Sequence, residues 1–421
     1  MTSKPLALTA AALAAALLTA CGGGGSDDTP TPDPTPASAF TKSATWNFAL
    51  PDNGNSVCYD FDTATEVAGC SGAAWDLKVT SGGRSATLWT NSGTSGSGKG
   101  GAFGGPFDHT WTDLSAWKDA TIDPVDGALP DAVYFKDTSK GAFTGSNAIA
   151  AAAFEYDLKA DHQLYPNYRV FLVTSDSASA DAVGTPGAPV YALQITGYYG
   201  GPTGVASGYV SLRWVDRAAP GAVHEATVDA RSDTDWVYFN LETGTVSSAN
   251  GTWHIAFNRY NVKLNGGDSG TGTVAGFVGA TPAGFYDADG KPVVDRFAAA
   301  KPDDTDLRAA LTAADMAVPA AANKWVVDVN HSALNPDYKG SYPNPLDFGW
   351  YSYYPTEAAG VAVGLHQHML KANPEAAALV RSGEGNSYAR LHVTEIKYAE
   401  ADPPYAGTQT WSIAFDVQPA K

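Results

Sequence analysis

The chain predicts an all-β fold organised as two tandem antiparallel β-sheet domains, and three features carry that expectation. Short apolar–polar alternations punctuated by Gly and Pro recur along its 421 residues, the pattern of antiparallel strands joined by turns. Helix-forming runs are scarce: only Asp304 to Ala314 and Pro374 to Leu379 have alanine-rich helical character, and the second also reads as a strand. The stretch from Trp253 to Gly272 has an upstream counterpart in Trp75 to Val79 and Leu88 to Gly98. From the Asn onward both read N-x-G-x-S-G-x-G and continue to Phe-x-Gly, with Phe103 and Phe277 in the same place, so the chain is an internal duplication.

The elements follow in order. Residues 1–20 carry one charge, Lys4, then an apolar run ending in Leu18-Thr19-Ala20-Cys21. That is a secretory signal with a small residue before Cys, the lipoprotein pattern that leaves Cys21 as the lipidated first residue of the mature chain. Residues 21–43 are dominated by Gly, Ser, Asp, Thr and Pro and read as a flexible tether. Residues 44–216 form the first expected domain and 223–421 the second, joined by Arg217-Ala218-Ala219-Pro220-Gly221. Each opens on an alternating strand, around Val57, Tyr59 and Phe61 or around Val237, Phe239 and Leu241, and then reaches its Trp strand and glycine loop. Each closes on further strands after a long irregular insertion, where ligand contacts usually sit.

Cys58 and Cys70 flank a predicted turn at Asp62 to Thr65, and in an exported chain such a pair forms a disulfide. The formal charge is −18, and loss of Lys4 with the signal leaves 25 basic against 44 acidic groups, or −19. Such a field repels nucleic acid and anionic lipid. Gly96 to Gly101 has dinucleotide-loop spacing but no strand–turn–helix around it, so its glycines serve a kinked or bulged strand. Asp287-Ala288-Asp289-Gly290 is part of a calcium-loop spelling without the distal Glu, and reads as a tight turn. Neither H-E-x-x-H nor G-x-S-x-G occurs and no carboxylate pair stands out, so no enzymatic activity is expected.

The repeated pattern resembles the HmuY family, cell-surface haem-capturing lipoproteins that carry W-D-x-A-x-x-R-Y-x-(V/I)-x-(L/T)-N-x-G-x-S-G-x-G. The second repeat keeps all of these except the Asp, which is His254; the first keeps Trp75, Asp76 and the Asn-Gly-Ser-Gly run but lacks the Arg-Tyr. The resemblance implies haem as ligand, no covalent chemistry, and delivery to an outer-membrane receptor, of the TonB-dependent kind, from a lipid-anchored position at the outer membrane or cell surface.

Haem iron accepts neutral imidazole at its axial positions. Of the eight histidines, His331, His366 and His368 fall in the variable region of the second repeat, where the family's haem binders place two histidines. His331 with His366 or His368 is the expected pair of iron ligands, with Met369 as an alternative donor, among the rings of Trp325, Tyr338, Tyr342, Phe348, Trp350, Tyr351, Tyr353 and Tyr354. His109 and His162 occupy comparable insertions of the first repeat, a weaker case for a pair. His254 is expected to be structural or at the surface, His392 to lie in a closing strand and His224 in the join. The same aromatic density also suits a carbohydrate-binding surface, and the fold could equally persist as a structural or adhesive lipoprotein without ligand.

Overall fold

Alternation of buried and exposed residues sets the strands, as in Leu77–Ser81 and Ala86–Thr90, whose burial alternates residue by residue. The computed structural model describes residues 37–179, 187–313, 325–399 and 408–421; the expected signal, Cys21 and the tether as far as residue 36 lie outside the described residues. Short two- and three-residue pairings aside, the first repeat supplies β1 (Lys42–Ala49), β2 (Ser56–Asp60), β3 (Leu77–Ser81), β4 (Ala86–Thr90), β5 (Gly101–Phe103), β6 (Phe154–Tyr156), β7 (Leu164–Pro166), β8 (Val170–Thr174), β9 (Val190–Gly200) and β10 (Ala206–Asp216). The second supplies β11 (His224–Asp229), β12 (Val237–Asn240), β13 (Ile255–Asn258), β14 (Asn261–Leu264), β15 (Ala275–Ala280), β16 (Tyr351–Tyr353), β17 (Leu370–Ala372), β18 (Ala376–Arg381), β19 (Tyr388–Tyr398) and β20 (Gln409–Gln418). Each strand of the first repeat has its counterpart ten strands later.

The sheets mix the repeats. One runs β1-β20-β19-β18-β5, the other β11-β10-β9-β8-β15, all antiparallel. The front half of each repeat therefore completes the sheet of the back half of the other. Trp46 lies opposite Ile413 and Phe103 opposite Leu379 in the first sheet, while Phe277 lies opposite Leu172 in the second. The join expected at Arg217 to Gly221 is the turn of a hairpin in which Trp214 pairs with His224, so His224 begins a strand and stacks on Trp214 at 5.4 Å. The chain segments 44–216 and 223–421 are thus sequence repeats whose strands interleave in both sheets.

Two cores follow from this exchange. The first packs Trp46, Phe48, Tyr59, Leu77, Val79 and Leu88 against Trp350, Val380, Leu391, Trp411 and Phe415. The second packs Phe154, Phe171, Leu193, Leu212 and Trp214 against Phe239, Ile255, Phe257 and Leu264. Their apolar area is the main source of stability, at roughly 1.5–3 kcal/mol per fully buried large side chain. Among the described residues, α-helix is confined to α1 (Trp111–Ala116), α2 (Val294–Ala299), α3 (Thr305–Thr312) and α4 (Glu357–Val361). The alanine-rich expectation at 304–314 is met by α3, which buries Leu307 and Leu311. Pro374 to Leu379 instead forms the start of β18, since every residue from Ala376 to Arg381 is buried between two strands.

The repeated motif is a brace. Asn91 donates from Nδ2 to the Trp75 carbonyl at 2.7 Å and accepts at Oδ1 from the Gly98 N–H at 2.9 Å. Asn265 does the same with Trp253 at 3.0 Å and Gly272 at 3.1 Å. Both tryptophans are buried, Trp75 at 1% and Trp253 at 4% exposure. The motif's first loop glycine is required by space and by conformation. Gly93 and Gly267 have φ of +54° and +59°, and a Cβ would sit 1.8 Å from the Asp137 carbonyl oxygen in one and 2.0 Å from that of Asp328 in the other. These two aspartates, which the sequence did not single out, are buried counterparts that accept the Thr90 and Leu264 N–H groups at 3.0 and 2.9 Å.

His254 replaces the motif's Asp in function as well as in position. Asp76 accepts the Phe61 N–H at Oδ2, 3.0 Å, and His254 accepts the Leu241 N–H at Nδ1, 3.1 Å. Leu241 corresponds to Phe61, so one imidazole nitrogen serves where a carboxylate oxygen serves in the first repeat. The ring is 4% exposed and meets Tyr191 of the other repeat edge-on at 5.4 Å. Burial pushes its pKa below the ordinary histidine value, with Glu242 acting weakly the other way.

Two predictions follow from this geometry. Because His254 is held neutral with a folded pKa below the unfolded value of about 6.5, the unfolded chain takes up the proton first as pH falls. Stability should therefore drop as pH falls below about 6.5, and urea midpoints at pH 7.5 and 5.5 should differ less for His254→Asn, which keeps a neutral acceptor, than for the unsubstituted chain. His254→Ala should cost about 1–3 kcal/mol at pH 7.5 by orphaning the buried Leu241 N–H. An equal pH response in all three proteins would remove His254 from this role.

Cys58 and Cys70 are joined in a disulfide with Cα atoms 5.4 Å apart, beside the Asp62 to Thr65 turn. Reduction should cost about 2–4 kcal/mol in a urea titration while leaving far-ultraviolet circular dichroism unchanged in the native range.

Candidate functional site

The structure places the expected ligands on two different elements. His331 ends a short strand, Val329–His331, that pairs with Thr138–Lys140 so that His331 lies opposite Thr138. Burial and the nearby Lys140 push its pKa down, and Asp337 opposes them. His366, His368 and Met369 share a turn of the hairpin between β16 and β17. The turn is held together by its own donors and acceptors. Thr356 caps α4 by accepting the Ala359 N–H, which sets Glu357 in the first turn of that helix. Glu357 Oε1 then meets His366 Nδ1 at 2.8 Å and Oε2 accepts the Gln367 N–H at 2.9 Å. These bonds hold the Glu357 pKa down, the Gln367 N–H contributing most.

Met369 is 3% exposed and its Sδ accepts the His366 N–H at 3.2 Å, so the thioether is part of the turn's internal bonding. His368 sits at φ +66°, donates its backbone N–H to the Tyr354 carbonyl at 2.7 Å, and engages the Tyr353 hydroxyl through Nδ1 at 2.5 Å. With Nδ1 bound in this way, the ring is oriented. The next residue but one, Leu370, donates its N–H to the Tyr398 hydroxyl of β19 at 2.6 Å.

The same arrangement recurs in the other half of the molecule. Tyr156 lies opposite Leu164 in the β6–β7 pair as Tyr353 lies opposite Leu370 in β16–β17. Two residues before Leu164 is His162, at φ +55°, with Nδ1 at 3.1 Å from the Tyr156 hydroxyl; the Leu164 N–H donates to the Tyr199 hydroxyl at 2.9 Å. The sequence signal is H-x-L, read at His162-Gln163-Leu164 and His368-Met369-Leu370, with a tyrosine upstream. It was hidden because five residues separate Tyr156 from His162 but fourteen separate Tyr353 from His368.

The remaining histidines are packing residues. His392 stacks on Trp111 at 3.7 Å and its Nδ1 meets the Pro374 carbonyl at 2.7 Å, while His109 packs against Phe103 at 5.2 Å. Half of the eight rings around the expected site also serve the interior: Trp325, Trp350, Tyr351 and Tyr354 are buried, and Trp350 Nε1 donates to the Leu334 carbonyl at 2.7 Å. Tyr338 and Tyr342 are exposed. Among the described residues, no helix is long and apolar enough to cross a membrane.

No curated protein matches the chain. The segment that carries β12 to β19 and the His366–Met369 turn has a counterpart all the same: residues 232–411 match the family model described as HmuY protein.

Proposed function

We propose that this chain is a haem-binding lipoprotein of the cell envelope, with an iron ligand in the His366–Met369 turn. The observation that carries the reading is the His368 imidazole oriented through Nδ1 by the Tyr353 hydroxyl, within the segment that matches the HmuY family. Imidazole nitrogen is a ligand that haem iron takes, and a second-sphere partner on the other ring nitrogen fixes the ring and raises its basicity. Met369 would have to give up the His366 N–H to act as donor, so His368 and His366 are the favoured ligands. His331 is the proposed opposing ligand, taken from the sequence pattern. Lipidation at Cys21 would tether the protein to the outer membrane or cell surface, and an outer-membrane receptor of the TonB-dependent kind would receive the haem.

Titration of the protein with haemin, followed at the Soret band, tests this reading. Replacing His366 and His368 together by Ala should remove one equivalent of bound haem, or weaken that site by more than about tenfold, with the β-sheet circular dichroism retained because neither imidazole belongs to the two large cores. His331→Ala should turn a six-coordinate low-spin spectrum at this site into a five-coordinate one. The reading fails if haemin gives no bound spectrum, or if the double variant binds as the unsubstituted protein does.

A further inference from the structure

We infer that the second core carries its own haem site, with His162 as the iron ligand. The inference rests on the haem reading for the ligand's identity but not on the His366–Met369 turn. A cavity of about 550 Å³ opens beside His162, within the range of sites that hold small organic ligands. Tyr156, Tyr198, Tyr199 and Tyr260 line it together with Arg259.

Three observations point to a ligand of this chemistry. First, the His162 side chain is 79% exposed, its Nδ1 is engaged by Tyr156 with Asp157 Oδ1 3.7 Å away, and Nε2 has no hydrogen-bond partner among the described residues. Partners on one ring nitrogen orient the imidazole and leave the other to face a ligand. Second, Tyr198 is 3% exposed, and its hydroxyl and the Arg259 side chain stand together on the cavity wall. Burial holds its pKa above the ordinary tyrosine value, and the Arg259 guanidinium beside it acts the other way. Third, Arg259 brings a cation to a wall that carries four phenol rings, in a chain whose net charge is −18. A flat aromatic macrocycle with carboxylate arms matches rings, cation and imidazole at once.

Arg259 and Tyr260 are the Arg-Tyr of the repeated motif and stand in the β13–β14 turn of the second repeat, whereas His162 and its tyrosines come from the first. Strand exchange is what brings them to one cavity. The corresponding β3–β4 turn of the first repeat reads Gly82-Gly83-Arg84-Ser85 and has no Arg-Tyr, so the two cores are unequal in this respect.

Haemin titration of the full chain, with metal-free protoporphyrin as a second probe, tests the inference. The unsubstituted protein should saturate at two haemin equivalents, His162→Ala at one, and the triple variant with His366→Ala and His368→Ala at none. His162→Ala should leave protoporphyrin binding at this site within about twofold, because only iron needs the imidazole, whereas Arg259→Gln should weaken both probes there by about tenfold. The His162 substitution lies at the surface and should leave the melting curve unchanged. Saturation at one equivalent that His162→Ala leaves intact overturns the second site alone. One equivalent that His162→Ala removes, and that the His366/His368 variant keeps, upholds it and overturns the site in the His366–Met369 turn.

Discussion

Everything in this molecule depends on backbone pairing between opposite ends of the chain. β1 pairs with β20 over eight residues, from Lys42 opposite Val417 to Ala49 opposite Thr410, and β5 pairs with β18 on the far edge of the same sheet. Buried N–H and C=O groups must find partners, and an open strand edge invites pairing with another chain. Here the partners of the last three strands come from the first sixty or so residues of the described chain, while β11 and β15 of the second repeat close the sheet of β8 to β10. Neither repeat can complete a sheet by folding on itself in this arrangement. The middle of the chain, from about Ala142 to Val274, builds one core, and the two ends build the other.

This constraint also governs the chemistry. Braces that look local in the sequence are closed by the other repeat: Gly383 donates its N–H to Asp76 Oδ1 at 2.7 Å, and the Lys99 N–H returns to the Gly383 carbonyl at 2.7 Å. The buried Asp137 joins the Thr90 N–H of the first repeat to the Ala333 N–H of the second, the latter at 2.8 Å from Oδ1. Desolvation raises the pKa of this carboxyl against its hydrogen bonds, and raises that of Asp76 to about 8. Such carboxyls recover from their N–H donors only part of what they lose by leaving water. The glycine loop that the motif marks most strongly is therefore scaffold, and the Arg259-Tyr260 pair of the motif reaches the cavity beside His162.

How much of this was legible follows from what each residue reports. Strand alternation, the duplicated Asn-Gly-Ser-Gly run, and the spacing of Cys58 and Cys70 all report local geometry, and the β fold, the matching tryptophans and the disulfide were readable from them. Strand exchange was not, because the faces of β1 and β11 carry the same alternation whichever back half they pair with. The role of His254 was half legible: its departure from the motif was visible, but only the Leu241 N–H shows that an imidazole nitrogen is used as a carboxylate oxygen is used by Phe61. Asp137 and Asp328 carry no local pattern at all, since their partners lie 47 and 64 residues away.

The histidine assignment shows the same limit from the side of function. Loop position alone suggested His331 with His366 or His368, since a loop histidine reads identically whether its ring is held by a neighbour or faces solvent. The fold distinguishes them by what each Nδ1 meets: the Glu357 carboxylate for His366, the Tyr353 phenol for His368, and for His162 the Tyr156 phenol with the Asp157 carboxylate 3.7 Å away. Either partner orients the ring it holds. Recurrence of the phenol–imidazole pair at the same register in both cores, despite loops of different length, makes it a property of the repeated architecture and not of one loop. The turn beside the His162 pair carries Arg259-Tyr260, where the corresponding turn of the first repeat has Gly82-Gly83.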